Sequence, residues 1–202
     1  GGVYLAGGGV VSHCLIADNN GRYGGGVYLE GGGTVRNSLI RNSQAGGGVE
    51  MTGGAVENCT LVANKGGDRT YSGAAMTGGG VTNTIVYWNE SGYTSVSKTG
   101  GAFDFSVSEN VVAGVSNLTV DPDFVDRSAG NYRLAPASLC ISSGTNLAWA
   151  GGEVDLDGNP RLSDSILERG AFESSSTNGP LAVSFLGTPV SGFESTSVVF
   201  SA

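Results

Sequence analysis

The sequence predicts an all-β solenoid in which short strands stack, coil upon coil, into parallel sheets. A glycine-rich phrase recurs with spacings of 24, 22 and 25 residues, and its equivalent positions are Val3, Val27, Val49 and Ala74. A second, unrelated phrase keeps the same period, and its first residues are Val11, Val35, Val56 and Val81. Two phrases that share one period indicate a single structural unit that is repeated along the chain.

Each phrase has the composition of a strand rather than of a helix. Both phrases are short, rich in β-branched residues, alternating, and bounded by glycine or asparagine, which is typical of strands of about three to six residues between turns. Glycine accounts for 36 of the 202 residues and interrupts every repeat, so no repeat can supply a helix. The unit is therefore a coil of two or three strands, paired with the coils above and below at about 4.8 Å per coil.

Alternation within the first phrase assigns its residues to the two faces of a sheet. The residues predicted to point inward are Val3 with Leu5, Val27 with Leu29, Val49 with Met51, and Ala74 with Met76. The residues between them form one outward column, which consists of Tyr4, Tyr28, Glu50 and Ala75.

The second phrase predicts an inward column and then a corner. Its inward residues are Val11, Val35, Val56 and Val81, and Ser12, Arg36, Glu57 and Thr82 point outward. The corner column that follows is His13, Asn37, Asn58 and Asn83. Asparagine tolerates left-handed corners, and stacked amides can hydrogen-bond from coil to coil.

Three further columns complete each coil. Two of them are predicted to point inward: Cys14, Ser38, Cys59 and Thr84, and then Ile16, Ile40, Leu61 and Val86. The third is a second asparagine column, assigned to Asn19, Asn42, Asn64 and Asn89.

Beyond Asn89 the repeat weakens, and the chain is predicted to divide into four parts. Residues 1–116 form the coils, with 102–112 as a last irregular coil reached over a polar loop at 90–101. Residues 117–173 form an irregular extension packed on the solenoid, and the small polar segment 174–180 is a linker. Residues 181–202 alternate again and are the first strands of another domain. Since the chain begins inside a glycine phrase, we also expect further coils before Gly1.

Composition argues against several classes of partner. The net charge is −8 and the ten Lys and Arg residues are scattered, which disfavours nucleic acid and anionic membrane surfaces. No segment has the eighteen or so apolar residues of a membrane span. Cys14 and Cys59 lie two coils apart, about 9.6 Å by strand spacing, which is too far for a disulfide, and Cys140 is unpaired with either.

The phrases after the repeats resemble the C-terminal part of a known family. They are Asp121-Pro122-Asp123-Phe124, Asn131-Tyr132-Arg133-Leu134, Ser138-Leu139-Cys140-Ile141, Asp155-Leu156-Asp157-Gly158-Asn159-Pro160-Arg161 and Gly170-Ala171-Phe172-Glu173. Their order is similar to that in bacterial β-helix proteins of the choice-of-anchor Q type. This resemblance, which covers about 1–174, implies a right-handed parallel β-helix and a secreted or surface-attached bacterial protein. It implies no particular reaction. Residues 181–202 are similar to the start of a polycystic-kidney-disease-type immunoglobulin-like domain.

Two sets of residues are candidates for a ligand site. Tyr4 and Tyr28, outward on adjacent coils, could form a platform for sugar rings, or an aromatic stack that only stabilises the sheet. Asp155, Asp157 and Asn159 have the acidic spacing of a Ca²⁺ loop, although position twelve of such a loop would be Ile166 rather than an acid. Turn chemistry explains the latter phrase equally well.

No catalytic set is evident in the sequence. His13 is the only histidine and occupies an asparagine column, so neither a Ser-His-Asp triad nor a histidine metal cluster can be assembled. The acids Asp18, Asp68 and Asp104, with Lys65 and Arg69 at one coil edge, do not fall into one column as a glycosidase or lyase site requires. The leading hypothesis is a non-catalytic extracellular stalk, adhesin-like or carbohydrate-binding module. The alternative is the C-terminal portion of a polysaccharide lyase or glycoside hydrolase whose active site lies in upstream coils.

Overall fold

The computed structural model describes residues 1–90, 94–162 and 166–174, and in these ranges the chain is an all-β parallel solenoid. Three parallel sheets of five strands each run along it, so the coils complete about four turns. The described ranges contain no α-helix, only one 3₁₀ turn at Ala148–Ala150. The predicted fold class is therefore confirmed. The predicted linker, apart from Ser174, and the predicted immunoglobulin-like strands at 181–202 lie outside the described residues.

Each coil contributes one strand to each of the three sheets. The first sheet consists of Val3–Ala6, Val27–Glu30, Val49–Met51, Tyr71–Met76 and Thr94–Lys98. The second consists of Val10–Ser12, Thr34–Arg36, Ala55–Glu57, Gly80–Thr82 and Ala102–Asp104. The third consists of Leu15–Ala17, Leu39–Arg41, Thr60–Val62, Ile85–Val86 and Val107–Ser108. Two smaller pairs are Asn20–Gly21 with Gln44–Ala45 (parallel) and Phe124–Asp126 with Asn131–Leu134 (antiparallel).

The strand registers match the columns that were read from the repeats. In the first sheet Tyr4 pairs with Tyr28, Tyr28 with Glu50, and Glu50 with Ala75. The predicted inward side chains form one continuous core, in which Val27, Leu29, Val49 and Met51 are fully buried. Repetition of the same apolar position in each coil is what stacks the coils in register, because a slip of one residue would turn every core side chain outward.

The segment predicted as a polar loop at 90–101 contains a strand instead. Thr94–Lys98 pairs in parallel with Tyr71–Met76 and places Val96 in the core. The last coil is therefore a full coil with a strand in every sheet, although its second strand, Ala102–Asp104, follows the prediction. The loop prediction was wrong because the glycine-rich phrase that precedes this strand in the earlier coils is absent here. Val96 nevertheless occupies the same inward position as Val27 and Val49.

The corner between the second and third sheets is left-handed, as the asparagine column predicts. The backbone φ angles of His13, Asn37, Asn58 and Asn83 are 55°, 49°, 46° and 50°. A second left-handed corner follows the third sheet, at Asp18, Asn42, Ala63 and Trp88. Asn42 was assigned wrongly to the column of Asn19, Asn64 and Asn89, because the residue in register there is Ser43, whose N–H donates to Asn64 Oδ1 over 3.0 Å.

The amides of the first corner column hold the C-terminal extension rather than only one another. One predicted rung is present, from Asn83 Nδ2 to Asn58 Oδ1 over 3.1 Å. All three asparagine amides also reach across to the extension: Asn37 Nδ2 donates to Val154 O, Asn58 Nδ2 to Glu168 O, and Asn83 Nδ2 to Thr145 O. The column is thus a strip of hydrogen-bonding groups that fixes the extension along the solenoid.

The extension also covers the outer face of the third sheet. Its Tyr132 and Phe172 pack on Leu39 and Val62, and its Leu134 and Ile141 pack with Ile85 and Val107 in a second cluster. These sheet residues point away from the solenoid core, so the strands of the third sheet are apolar on both faces. A strand with this composition requires a cover on both sides. Leu15, in the first coil of the same column, is 57% exposed.

A buried ion pair lies where the extension meets the corner. Arg161, with no exposed surface, donates to Glu173 Oε1, to Asn37 Oδ1 over 2.7 Å and to Gly170 O over 2.8 Å. Burial raises the pKa of Glu173, and the Arg161 guanidinium opposes that rise. Loss of one member of such a pair leaves a buried charge without a partner. Both members belong to the extension, and the bonds from Arg161 to Asn37 Oδ1 and Asn58 O attach it to the corner.

The three cysteines are free thiols, as predicted, with Cys59 and Cys140 buried. Burial raises the pKa of Cys59 to about 12 and that of Cys140 to about 11, so both remain neutral at physiological pH. Within the described residues there is no helix with the length and apolar character needed to cross a bilayer.

If the corner amides hold the extension, Asn58→Ala will destabilise the protein by about 2 kcal/mol more than Asn42→Ala in chemical denaturation. The comparison is matched, because both asparagines have left-handed backbones, with φ of 46° and 55°. Only Asn58 is fully buried and bonded to the extension, whereas Asn42 donates to the exposed Asp18. Equal losses of stability in the two variants would show that corner geometry alone matters.

Candidate functional site

The outer face of the first sheet carries the predicted tyrosine pair, and the two rings stack. Tyr4 and Tyr28 have ring centroids 5.6 Å apart and an interplanar angle of 15°, as expected for aromatic residues paired on adjacent parallel strands. Tyr4 is 58% exposed, whereas Tyr28 is partly covered by its neighbours. The two rings therefore cover each other on the faces that meet in the stack.

A third tyrosine, which the repeat pattern did not reveal, joins this pair. Tyr23 precedes the glycine-rich corner of the second coil, and its ring lies 6.1 Å from that of Tyr28 at an angle of 33°. It is 51% exposed. The three rings border a groove of about 260 Å³ whose other walls include Val3 and Arg22. We call Tyr4, Tyr23 and Tyr28 the tyrosine cluster.

Carboxylates beside the cluster are held by tyrosine hydroxyls. Tyr4 donates its hydroxyl to Glu30, and Tyr71 donates to Glu50 Oε2 over 2.6 Å. The hydrogen bond to Glu30 raises the pKa of Tyr4. Burial raises the pKa of Tyr71, and its hydrogen bond to Glu50 raises it further. Burial and the nearby Glu30 and Glu50 raise the pKa of Tyr28 as well. These phenols therefore stay neutral and act as hydrogen-bond donors at physiological pH.

Two arginines border the cluster on the side of Tyr23. The guanidinium carbon of Arg69 lies 4.8 Å from the Tyr23 ring centroid, and that of Arg22 lies 5.8 Å from it. Contacts of this kind combine cation–π attraction with stacking of the planar guanidinium on the ring. Both arginines also line a larger groove of about 550 Å³ with Asn20, Ala45 and Asp68. Because Arg22 lines both grooves, they meet at this residue.

A second cavity lies at the seam between the third sheet and the extension. It has a volume of about 290 Å³, and its walls include Trp88, Glu90, Glu109 and Arg127. The Arg127 guanidinium covers the Trp88 ring at 4.0 Å. Glu90 pairs with Lys65 over 2.9 Å, and Glu109 Oε1 accepts the backbone N–H of Trp88 over 3.0 Å. Both carboxylates of this seam cavity therefore already have partners, and its aromatic face is covered.

The candidate Ca²⁺ phrase forms a buried turn. Asp155 is 1% exposed, and its two oxygens accept four hydrogen bonds, from the N–H groups of Asp157, Asn159 and Glu173 and from Asn159 Nδ2. Asp157 pairs with Arg133 through both carboxylate oxygens. This is the geometry of an aspartate turn, in which the side chain replaces a backbone acceptor. The Ca²⁺ site stays a prediction, and these contacts favour the turn.

The other residues considered for chemistry lie apart. Asp18 sits at the left-handed corner after the third sheet, Asp68 at the arginine groove, and Asp104 accepts the Val115 N–H over 2.7 Å. His13 bonds through Nε2 to Val154 O over 2.7 Å and so contacts the extension. No group of three or more His, Cys, Asp or Glu side chains suited to a metal ion occurs within 1–90, 94–162 and 166–174.

Comparison with known proteins adds no family to this description: no family model, no curated protein and no solved structure matches the chain. The class is defined by the fold itself, a parallel β-solenoid whose third sheet is covered by the extension and whose first sheet carries the tyrosine cluster.

The turn account predicts that stability does not depend on calcium. Neither added Ca²⁺ nor a chelator will change the thermal midpoint, whereas Asp155→Ala will lower stability by at least about 2 kcal/mol, because buried N–H groups lose their acceptor. Asp126→Ala is the matched control, since its exposed carboxylate accepts from Ser128 and Ala129 only, and it will lower stability by less than Asp155→Ala does. A midpoint that rises with Ca²⁺ and loses that rise in Asp155→Ala would show a metal site instead.

Proposed function

We propose that this solenoid is a carbohydrate-binding module and that the tyrosine cluster is its binding face. The observation that carries the proposal is the grouping of three tyrosine rings around one groove, with Tyr23 half exposed, on the outer face of the first sheet, which the extension leaves uncovered. Tyrosine is suited to sugars because its ring packs against the apolar faces of a pyranose while its hydroxyl hydrogen-bonds. Single exposed aromatic residues are common on protein surfaces, whereas a contiguous group of them is typical of an interaction site.

The rest of the molecule supports binding more than catalysis. A glycosidase needs two carboxylates that face one substrate groove, one of them able to donate a proton. In the described residues the acids next to the cluster, Glu30 and Glu50, already accept tyrosine hydroxyls, and Glu90 and Glu109 have partners at the seam cavity. The rigid stack of coils serves to present the face, in the manner of a stalk or an adhesin.

A location on the bacterial cell surface or outside the cell belongs to the same proposal. It rests on the phrases between Asp121 and Glu173, which resemble the ending of choice-of-anchor Q β-helix proteins. The structure gives these phrases defined positions, because Phe124, Tyr132 and Phe172 cover the third sheet and Arg161 forms the buried ion pair. A solenoid that ends in such a cover can carry a binding face away from an anchor.

The alternative proposal is that the chain is the C-terminal portion of a polysaccharide lyase or glycoside hydrolase with an active site in upstream coils. The tyrosine cluster would then extend the substrate groove of that enzyme. The two proposals differ in the upstream sequence: the enzyme requires a charged column there with two acids, or an acid with Lys or Arg.

Substitution of the tyrosines on a glycan array tests the binding proposal. Tyr4→Ala and Tyr23→Ala will each weaken binding to the recognised glycan by about threefold to tenfold, because each removes one aromatic contact. Tyr28→Phe, which keeps the ring, will retain most of the binding.

Trp88→Ala is the control, since it removes an exposed aromatic ring at the seam cavity on a different face. It will leave binding unchanged. Absence of binding to any glycan, or a loss in Trp88→Ala that the tyrosine variants do not share, would contradict the proposal.

A further inference from the structure

The arginine groove beside the tyrosine cluster is a local concentration of positive charge on an acidic protein. The chain has a net charge of −8 and only ten Lys and Arg residues. Two of these, Arg22 and Arg69, are 47 residues apart in sequence and meet at one ring, Tyr23. The contact arises from the fold, because stacking of coils brings the corner at Arg22 next to the loop at Arg69.

Neither guanidinium is neutralised by an ion pair. The ion pairs among the described residues use His13, Arg36, Lys65, Arg133 and Arg161, and none uses Arg22 or Arg69. Arg69 donates through Nη2 to Arg22 O over 2.7 Å. This bond fixes the direction of its guanidinium and leaves the other N–H groups of the fork free to bind.

The acids around the groove do not cancel this charge. Glu30 and Glu50 accept the hydroxyls of Tyr4 and Tyr71 and keep their negative charge, but neither of them lines the arginine groove. Asp68 lines the same groove as the two arginines but forms no ion pair with them. Two cations therefore face one acid in a groove of about 550 Å³ that meets the tyrosine groove at Arg22.

We propose that the glycan recognised by this face is anionic, and that Arg22 and Arg69 bind its carboxylate or sulfate groups while the tyrosines contact the sugar rings. The guanidinium fork matches both groups, because each presents two oxygens at the spacing of two parallel N–H donors. The inference rests on the proposed carbohydrate-binding function and specifies the class of glycan. In this arrangement the Tyr23 ring holds the Arg69 guanidinium in position to bind the anionic group of the glycan.

Binding to matched neutral and anionic polysaccharides tests this inference. The full chain will bind polygalacturonate but not its fully methyl-esterified form, or dextran sulfate but not dextran. Binding to polygalacturonate alone would show that the face recognises carboxylates, and binding to dextran sulfate alone that it recognises sulfates. Binding to both would show that it recognises negative charge of either kind. Binding will weaken as salt is added, because the contacts are ionic.

Substitution of the arginines locates the binding. Arg22→Ala and Arg69→Ala will each weaken binding to the anionic polymer by about tenfold, the expected effect of a lost hydrogen bond to a charged group. Arg69→Lys keeps the charge but not the fork and will give an intermediate loss. Because Arg69 also bonds to Arg22 O, thermal midpoints of these variants must be measured to show that they remain folded.

Arg127→Ala is the matched control, since it removes an exposed arginine that also lies on an aromatic ring, Trp88, but at the seam cavity. It will leave binding unchanged. Equal binding to the neutral and the anionic partner, or equal effects of Arg127→Ala and Arg69→Ala, would overturn the inference and leave the carbohydrate-binding function standing. Failure to bind any polysaccharide would overturn both.

Discussion

The left-handed corner between the second and third sheets is the constraint on which most of the structure depends. Every coil turns there at one residue with φ near 50°, a conformation that costs most L-residues about 1–2 kcal/mol and that Phe105 adopts in the last coil. Asparagine compensates, because its short amide tolerates this conformation and offers a donor and an acceptor at the same point. Stacking of coils aligns these amides in a row. This row is a regular series of hydrogen-bonding groups along which the irregular extension docks.

Docking of the extension divides the surface of the solenoid into covered and open faces. The extension fills the outer face of the third sheet with aromatic and aliphatic side chains, and its buried Arg161, paired with Glu173, bonds to Asn37 and Asn58 at the corner. It also reaches the second sheet, where the Arg36 guanidinium lies 4.7 Å from the Trp149 ring. The outer face of the first sheet carries the tyrosine cluster instead. The three tyrosines and the two arginines of the proposed binding face therefore lie on a face that the extension leaves open.

The repeats carry enough information to predict the columns, and less to predict the site. Inward positions such as Val27 and Val49 could be predicted because side chains alternate between the two faces of a strand and the same strand recurs in each coil. The strand at Thr94–Lys98 was missed because its coil keeps the inward valine but not the glycines. Tyr23 was missed, and Arg69 was placed only at a coil edge with Lys65. Both residues lie at corners and loops, which vary between coils, and their contact joins residues 46 apart in sequence. Asn42 was misplaced by one residue, since unequal coil lengths leave two neighbouring polar columns hard to separate without the strand register.

Amide hydrogen exchange with and without an anionic oligosaccharide measures most directly whether the open face is the binding face. The account predicts slower exchange, on addition of an oligogalacturonate or a sulfated oligosaccharide, at Arg22, Tyr23 and Tyr28 and in the loop at 66–70, with no change along the extension. Slower exchange confined to the seam cavity around Trp88 and Arg127, or no change anywhere with either oligosaccharide, would contradict it.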